Sequence, residues 1–281
     1  MELGLTMFAT DQAMSLVDLA WEAEDRGFAS LYVPEHTHIP TSRRTPPPTG
    51  EPELAEEYKR TLDPFVTLGA AAAVTGSIRL GTGICLVAQR DPIVLAKEVA
   101  TLDWISEGRF VFGIGFGWNR EEMQSHGVPY ADRRTIVRER VLAMQQLWSK
   151  ESASYAGEHV QLEPSWSWPK PVQKPWPPVL IGGAPSEILF AHIAEYGDGW
   201  IPIGGAGVAK ALPDLRRATE AAGRDPATLS VIPFGTLPDR GKLDYYASNG
   251  IREVVLRLPS APADDVLRVL DEYAALIDER A

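Results

Sequence analysis

Short apolar runs rich in β-branched residues alternate along the chain with longer stretches in which apolar positions recur every three to four residues, the pattern of an α/β fold. Strands are predicted at 3–8 (LGLTMF), 30–34 (SLYVP), 78–87 (IRLGTGICLV), 109–115 (RFVFGIG), 178–183 (PVLIGG), 199–204 (GWIPIG), 229–235 (LSVIPFG) and 253–258 (EVVLRL). After the first strand, Met14, Val17, Trp21 and Glu24 fall in line at helical spacing, and Leu16, Ala20 and Ala23 broaden the stripe. Asp91 followed by Pro92 is a helix start, with a side-chain cap and then a residue whose missing amide costs nothing. Val137, Val141, Met144 and Trp148 mark a later helix, and Val266, Leu270, Tyr273 and Ile277 mark the last. A hairpin is expected around YAGEHV. Eight strands, nearly all followed by a helix, in a length close to the ~250 residues of a (β/α)8 barrel, predict one such TIM-barrel domain over 1–281 rather than a doubly wound open sheet. Two Pro-rich segments, 37–61 and 151–178, interrupt the alternation and are expected to build the catalytic mouth.

Charge and composition narrow the function classes. The chain carries 27 Lys and Arg against 38 Asp and Glu, a net charge of -11, which disfavours a nucleic-acid partner and suits a monomer or oligomer, a homodimer included, that handles small molecules. The single cysteine, Cys85, leaves no intrachain disulfide and no thiolate metal cluster, so no metal site is expected and a reducing, cytoplasmic setting fits. The N-terminal MELGLTMFAT lacks the basic-then-apolar order of a secretory signal, and no apolar run approaches the ~18 residues of a membrane span.

The stretch EGRFVFGIGFGWNREEM (107–123) imitates a nucleotide-binding loop, with Gly113, Gly115 and Gly117 spaced by single residues. A dinucleotide fingerprint would need glycine where Trp118 stands, and it would lie in the first βα unit. No GxxxxGK[ST] is present either. These glycines serve another backbone.

LGTGICLVAQRDPIVLAKEVATLDWISEGRFVFGIGFGWNREEM, with KPVQKPWPPVLIGGAPS and GDGWIP, resembles the luciferase-like monooxygenase superfamily, and within it the oxidoreductases that use the deazaflavin coenzyme F420. The resemblance spans essentially the whole chain. It implies a barrel whose strand ends hold a flavin or deazaflavin, with F420 as the expected cofactor and FMN as the alternative. It also implies a non-prolyl cis peptide at Gly83-Ile84 behind the cofactor ring, with Cys85 and Leu86 following, and the strand end Ile114–Gly115 beside it. The glycines at 113, 115 and 117 would clear room beneath the planar ring.

Candidate residues follow, each with a plainer reading beside it. Asn119 offers a donor and an acceptor to the cofactor, or caps the next helix. Glu35 and His36 end the second strand, on the side where barrel enzymes gather catalytic groups. The resemblance implies that His36 is the acid-base residue and that Glu35, where many relatives have Asp, lies against the cofactor. The plainer reading of His36 is a surface histidine paired with His38. Sugar-phosphate dehydrogenases of the branch carry a glutamate where this chain has Phe116, so their substrate is not carried over. Gly182, Gly183 and Ala184 precede Pro185 at an expected first helical turn, where free amides would cradle the cofactor phosphate. Otherwise they make a tight turn. Arg109 either supports the site or neutralises Glu107 or a helix end. Arg43, Arg44, Lys59 and Arg60 receive an anionic tail or substrate, or pair with Glu51, Glu53, Glu56 and Glu57. Phe8, Phe116, Trp118 and Trp200 are candidate walls of a substrate pocket, and Trp166, Trp168 and Trp176 are further candidates. Three functions are consistent with this reading: an F420-dependent oxidoreductase acting on a small organic molecule, an FMN-dependent monooxygenase, and a silent flavin-binding protein.

Overall fold

The structure, a computed structural model, describes residues 1–42, 44–47, 50–51, 53–205 and 207–278; Arg43 lies outside the described residues. Along the chain run β1 (Glu2–Thr6), α1 (Leu16–Asp25), β2 (Ser30–Val33), α2 (Pro64–Ala72), β3 (Arg79–Thr82), α3 (Pro92–Ile105), β4 (Phe110–Ile114), α4 (Arg120–Ser125) and α5 (Arg133–Ser149). Then come β5 (Ala153–Ala156), β6 (Gln161–Ser165), β7 (Val179–Gly182), α6 (Glu187–Tyr196), β8 (Gly199–Ile201) and α7 (Val208–Ala221). The chain continues through β9 (Ser230–Val231), β10 (Phe234–Thr236), α8 (Arg240–Ser248), β11 (Glu253–Arg257) and α9 (Ala263–Asp278). β5 and β6 form the antiparallel hairpin around YAGEHV.

The remaining strands pair in parallel in the order β10-β11-β1-β2-β3-β4-β7-β8-β9. β9 and β10 are two pieces of the single strand expected at 229–235. Pro233, which has no amide to donate, breaks the run. Before the break, Ile232 N donates to Trp200 O at 3.0 Å on β8; at the break, Val255 N on β11 donates to Pro233 O at 2.9 Å. One run thus joins both ends of the sheet, and the fold is a (β/α)8 barrel.

Strand alternation sorts the side chains into two layers. Tyr32, Val111, Leu180, Ile201, Ile232, Phe234 and Val255, from six different stretches of the barrel wall, meet in one interior cluster. Their neighbours on the same strands, among them Leu31, Phe110, Phe112, Ile181 and Trp200, pack outward under the helices. The expected Asp91 cap is present: its carboxylate accepts from Ile93 N and Val94 N at 2.9 and 3.0 Å. Val137, Val141, Met144 and Trp148 are all buried, as are Val266, Leu270 and Tyr273. The stripe on α1 is rotated from the expected one. Leu16, Leu19, Ala20 and Ala23 face the core, while Trp21 is 53% exposed. Glu24 is an anchor rather than part of the stripe: its carboxylate accepts from the amides of Gly76, Ser77 and Ile78 ahead of β3.

Only the first Pro-rich segment sits at the catalytic mouth. The described residues of 37–61 follow a strand end and are pinned across the rim by Thr45 and Arg44 on Glu121, by Arg257 on Glu57 and by a bridge between Thr10 and Thr61. Segment 151–178 follows helix α5, so it lies at the opposite face, where helices end and strands begin. There Gln173 donates to Asp103 and to Phe110 O, Trp104 Nε1 donates to Lys170 O, and Lys170 Nζ donates to Leu147 O.

Candidate functional site

His36 lies three residues beyond β2, at the mouth, and is 9% exposed. Its Nδ1 is 2.9 and 3.1 Å from the two carboxylate oxygens of Glu122, which is 1% exposed. A carboxylate only accepts, so Nδ1 is the donor of this contact, and in the neutral ring Nε2 is then the nitrogen with the lone pair. Three aromatic rings gather beside this pair. Tyr58 is 5.4 Å and Trp118 5.9 Å from the His36 ring, and Phe8 is 4.7 Å from Tyr58. The structure therefore brings together His36, Trp118 and Phe8, while His38 pairs elsewhere: Thr37 Oγ1 lies 3.1 Å from His38 Nδ1 and 2.7 Å from His126 Nε2. Burial, with His38 nearby, pushes the His126 imidazole down.

Glu122 and Tyr58 were not among the sequence candidates. Glu122 stands at the third position of α4, where an acid is normally read as helix capping. Tyr58 is one aromatic in a charged loop run. In each case only the tertiary contact with His36 reveals the role.

Glu35, 3% exposed, is fully engaged. Its Oε2 accepts from Leu86 N and its Oε1 from Arg90 Nε, both at 2.6 Å. Arg90 also holds Asp63 at 2.7 Å and Glu98 at 3.1 Å. Burial works against the Arg90 charge, but the Glu35 charge and hydrogen bond together with Asp63 and other neighbours outweigh it, and the guanidinium is held above its ordinary range. Glu35 thus fixes the segment that follows β3, where the Gly83-Ile84 peptide is cis. Cys85 is fully buried, and burial with the adjacent Glu35 charge pushes its thiol up, so it is an inert packing residue.

The glycines at and just beyond the end of β4 make room for the protein's own atoms. A Cβ at Gly113 would stand 2.0 Å from Thr82 O, and one at Gly115 would stand 2.7 Å from the Ile84 side chain. Gly113 lets β4 approach β3, and Gly115 accepts Ile84 behind it. Gly117 has φ +74, a conformation that favours glycine. Ile114, fully buried, bridges Cys85.

Asn119 is both cap and candidate contact. Its Oδ1 accepts from Glu122 N at 3.3 Å, while its Nδ2 is buried without a hydrogen-bond partner. A buried amide donor left over at the start of α4 is the kind of group a ring or ribityl oxygen would satisfy, so these residues fit a flavin-type group.

At IGGAPSE the geometry departs from expectation. α6 begins at Glu187, and Ser186 caps it through Leu189 N at 3.2 Å, so Pro185 precedes the cap. The amide of Gly183 is already given to Ile201 O at 3.3 Å. Gly182 lies within β7, a Cβ there meeting Ile84 at 3.1 Å. Ala184 is exposed at the rim. Any anion cradle at this turn therefore rests on the amides after Gly183.

Two pocket candidates belong to the outer layer. Trp200, fully buried, donates from Nε1 to Gly183 O at 2.9 Å and packs edge-on against Phe190 of α6. Ile201, not Trp200, faces the interior. Phe116 lies 5.0 Å from the His192 ring, with Arg134 stacked 4.3 Å over it. Burial and the Arg134 charge bring His192 down to about 4. Trp166 and Trp168 are exposed at the far face, and Trp176 binds Asp198. Arg109 ties down the end of α2 through Ala72 O, Thr75 O and Ile78 O, away from the mouth. Lys59 and Arg60 pair with Glu56 and Asp11, and Arg44 with Glu121. Two donors from Thr45 hold the Glu121 carboxyl down to about 2. No helix among the described residues is long and apolar enough to cross a membrane.

The chain is similar to known proteins along most of its length. The chain is 45% identical to the Mycobacterium tuberculosis protein described as Uncharacterized protein Rv0953c, over 98% of each chain. It is 31% identical to the F420-dependent glucose-6-phosphate dehydrogenase of Kineococcus radiotolerans, over 74% of this chain and 59% of that one. Monooxygenase RslO1 from Streptomyces bottropensis superposes with a TM-score of 0.81 at 22% identity over the full length of both. Residues 4–237 match the model of the luciferase-like monooxygenases, and the chain belongs to that family.

Proposed function

We propose that this enzyme is an F420-dependent oxidoreductase that interconverts a hydroxyl and a carbonyl on a small organic substrate. The observation that carries this reading is the buried His36–Glu122 pair opening onto an aromatic wall at the barrel mouth. When bound, a deazaflavin supplies or accepts the hydride. The protein's part is the proton. His36 Nε2 takes it from the substrate hydroxyl as the C–H hydride leaves, and returns it to the carbonyl oxygen in the reverse direction. Glu122 holds the ring through Nδ1 and offsets the charge that develops on the imidazole. Phe8, Tyr58 and Trp118 exclude water from the exchange. Asn119 Nδ2 and the segment after Gly83 are the groups placed to hold the cofactor. The relationship to an F420-dependent dehydrogenase supports the choice of cofactor.

Titration of the purified protein with F420 and with FMN, followed by absorbance and fluorescence, tests the reading. F420 is expected to bind the more tightly, and its reduced form to be oxidised by a carbonyl substrate without oxygen uptake. Preference for FMN with oxygen consumption would instead identify a monooxygenase, the chemistry named for the family and for RslO1. Tight binding with no turnover on a broad substrate panel would identify a flavin-binding protein.

A further inference from the structure

Arginines in this acidic chain generally find carboxylates, as Arg26, Arg60, Arg79, Arg90 and Arg138 do. Those at the junction of α4 and α5 do not. Among the described residues, Arg120, Arg133 and Arg134 meet aromatic faces and a carbonyl instead. Arg120 and Arg133 both stack on Tyr130, at 4.7 and 3.8 Å, and Arg133 donates to Tyr130 O at 2.7 Å. Arg134 lies over Phe116. Arg133 Nε and Arg134 Nη1 are buried with no hydrogen-bond partner. Arg133 and Arg134 also open α5, the end of a helix at which positive charge is disfavoured. Stacking on Tyr130 and Phe116 offsets part of that cost but leaves the two buried nitrogens unpaired.

A cavity of about 520 Å³ opens beside this cluster, lined by Arg44, Trp118, Arg120, Glu121, Gln124 and Tyr130. Its one carboxylate, Glu121, already accepts from Thr45 and Arg44. Among the described residues, Arg120 faces the cavity with no acid paired to it, with Gln124 as a neutral donor and the rings of Trp118 and Tyr130 as walls. Trp118 is also the ring that packs 5.9 Å from His36, so the cavity and the reaction site share a wall.

We propose that this cavity binds an anionic arm, carrying carboxylate or phosphate groups, of the ligand whose reacting end meets His36. The inference rests on the reading of His36 as the reacting end. Such an arm has two sources, the acidic tail of the deazaflavin or an acidic substrate, and both use the same recognition: Arg120 as the principal cation, with Arg133 and Arg134 adding to the local field.

Isothermal titration of the full chain with tetraglutamate at low ionic strength reads the cavity directly. Binding is expected to weaken by about tenfold or more in Arg120→Glu, because the variant replaces an attractive charge with a repulsive one. Arg268→Glu, an equal charge change on the exposed face of α9, is expected to stay within about twofold, since distant surface charges are screened. No binding by the wild type, or equal weakening in the two variants, would overturn the proposal. Titration with F420 and with its chromophore lacking phosphate and tail then assigns the source. Weakening of F420 alone in Arg120→Glu places the cofactor tail in the cavity. Unchanged affinity for both, with loss of tetraglutamate, gives the cavity to the substrate. If the wild type binds neither deazaflavin, the cofactor reading fails, while the tetraglutamate comparison still decides the cavity.

Discussion

Replacing Glu35 by Gln separates a structural role from direct contact with a ligand. The wild-type carboxylate accepts from Leu86 N and from Arg90 Nε, both at 2.6 Å, and its side chain is only 2% exposed. Glutamine has the same shape, but one of its two acceptors becomes an NH2 that must face either an amide donor or a guanidinium. Breaking a buried ion pair costs about 3–5 kcal/mol, and a mismatched buried donor costs about 1–3 kcal/mol. Arg90 keeps Asp63 and Glu98, which lowers the first figure, so a net loss of about 3 kcal/mol is expected. At roughly 2–4 °C per kcal/mol for a large domain, Tm should fall by about 6–12 °C. Urea denaturation should show a lower midpoint with an unchanged slope. Glu35→Asp keeps the charge but is one methylene shorter, so it should lose one of the two contacts and fall about halfway. Stability of Glu35→Gln within about 0.5 kcal/mol of wild type, together with a large loss of cofactor affinity, would refute the structural role and restore direct contact.

Three other variants have defined outcomes. His36→Ala should leave cofactor affinity within a few fold but reduce turnover by about 10² or more, measured by single-turnover oxidation of reduced cofactor; unchanged rates would move the proton to another group. Asn119→Asp keeps the acceptor that caps α4 but removes the buried donor. Its stability should stay within about 0.5 kcal/mol while cofactor binding weakens by about tenfold, and equal binding would leave Asn119 a cap alone. Glu24 is the pH probe. Burial raises its carboxyl, but hydrogen bonds from Ile78, Ser77 and Gly76 outweigh that and hold it at about 2 against an ordinary 4.5. Its contribution is therefore full above about pH 4.5 and lost as pH falls towards 2. Glu24→Gln should cost about 2–3 kcal/mol at pH 7, with the gap to wild type closing over that acid range in urea titrations.

The parts of the fold that were legible in the sequence are those that local chemistry dictates. Asp91-Pro92 starts a helix because a side-chain acceptor and a missing amide act within one turn, and Val137 to Trp148 mark a helix by periodicity alone. Trp200 was misplaced because β8 spans only Gly199–Ile201 and both faces of a barrel strand are apolar, so alternation carries no phase. Segment 151–178 was assigned to the mouth because proline content marks a loop but not the end of the barrel on which it lies; the preceding helix α5 decides that. His36 was legible from its place at a strand end. Glu122, 86 residues away, was not, because its spacing from Asn119 already satisfies a helix start and nothing local shows that its carboxylate turns to the histidine.

The break at Pro233 also governs how the barrel breathes. β9 is held to β8 by a register of only two residue pairs, and the ladder between β10 and β11 shifts between Phe234 and Thr236. β1, by contrast, has five paired residues with β11 and three with β2. A local opening at the seam gives up the bonds from Ser230, Ile232 and Phe234 N to Asp198, Trp200 and Pro202 O, and leaves the other strands in register. The amides of Ile232 and Phe234 should therefore exchange with solvent deuterium well before those of Leu5 and Leu31. The ring then behaves as an open sheet closed by a latch, and the latch is next to the mouth.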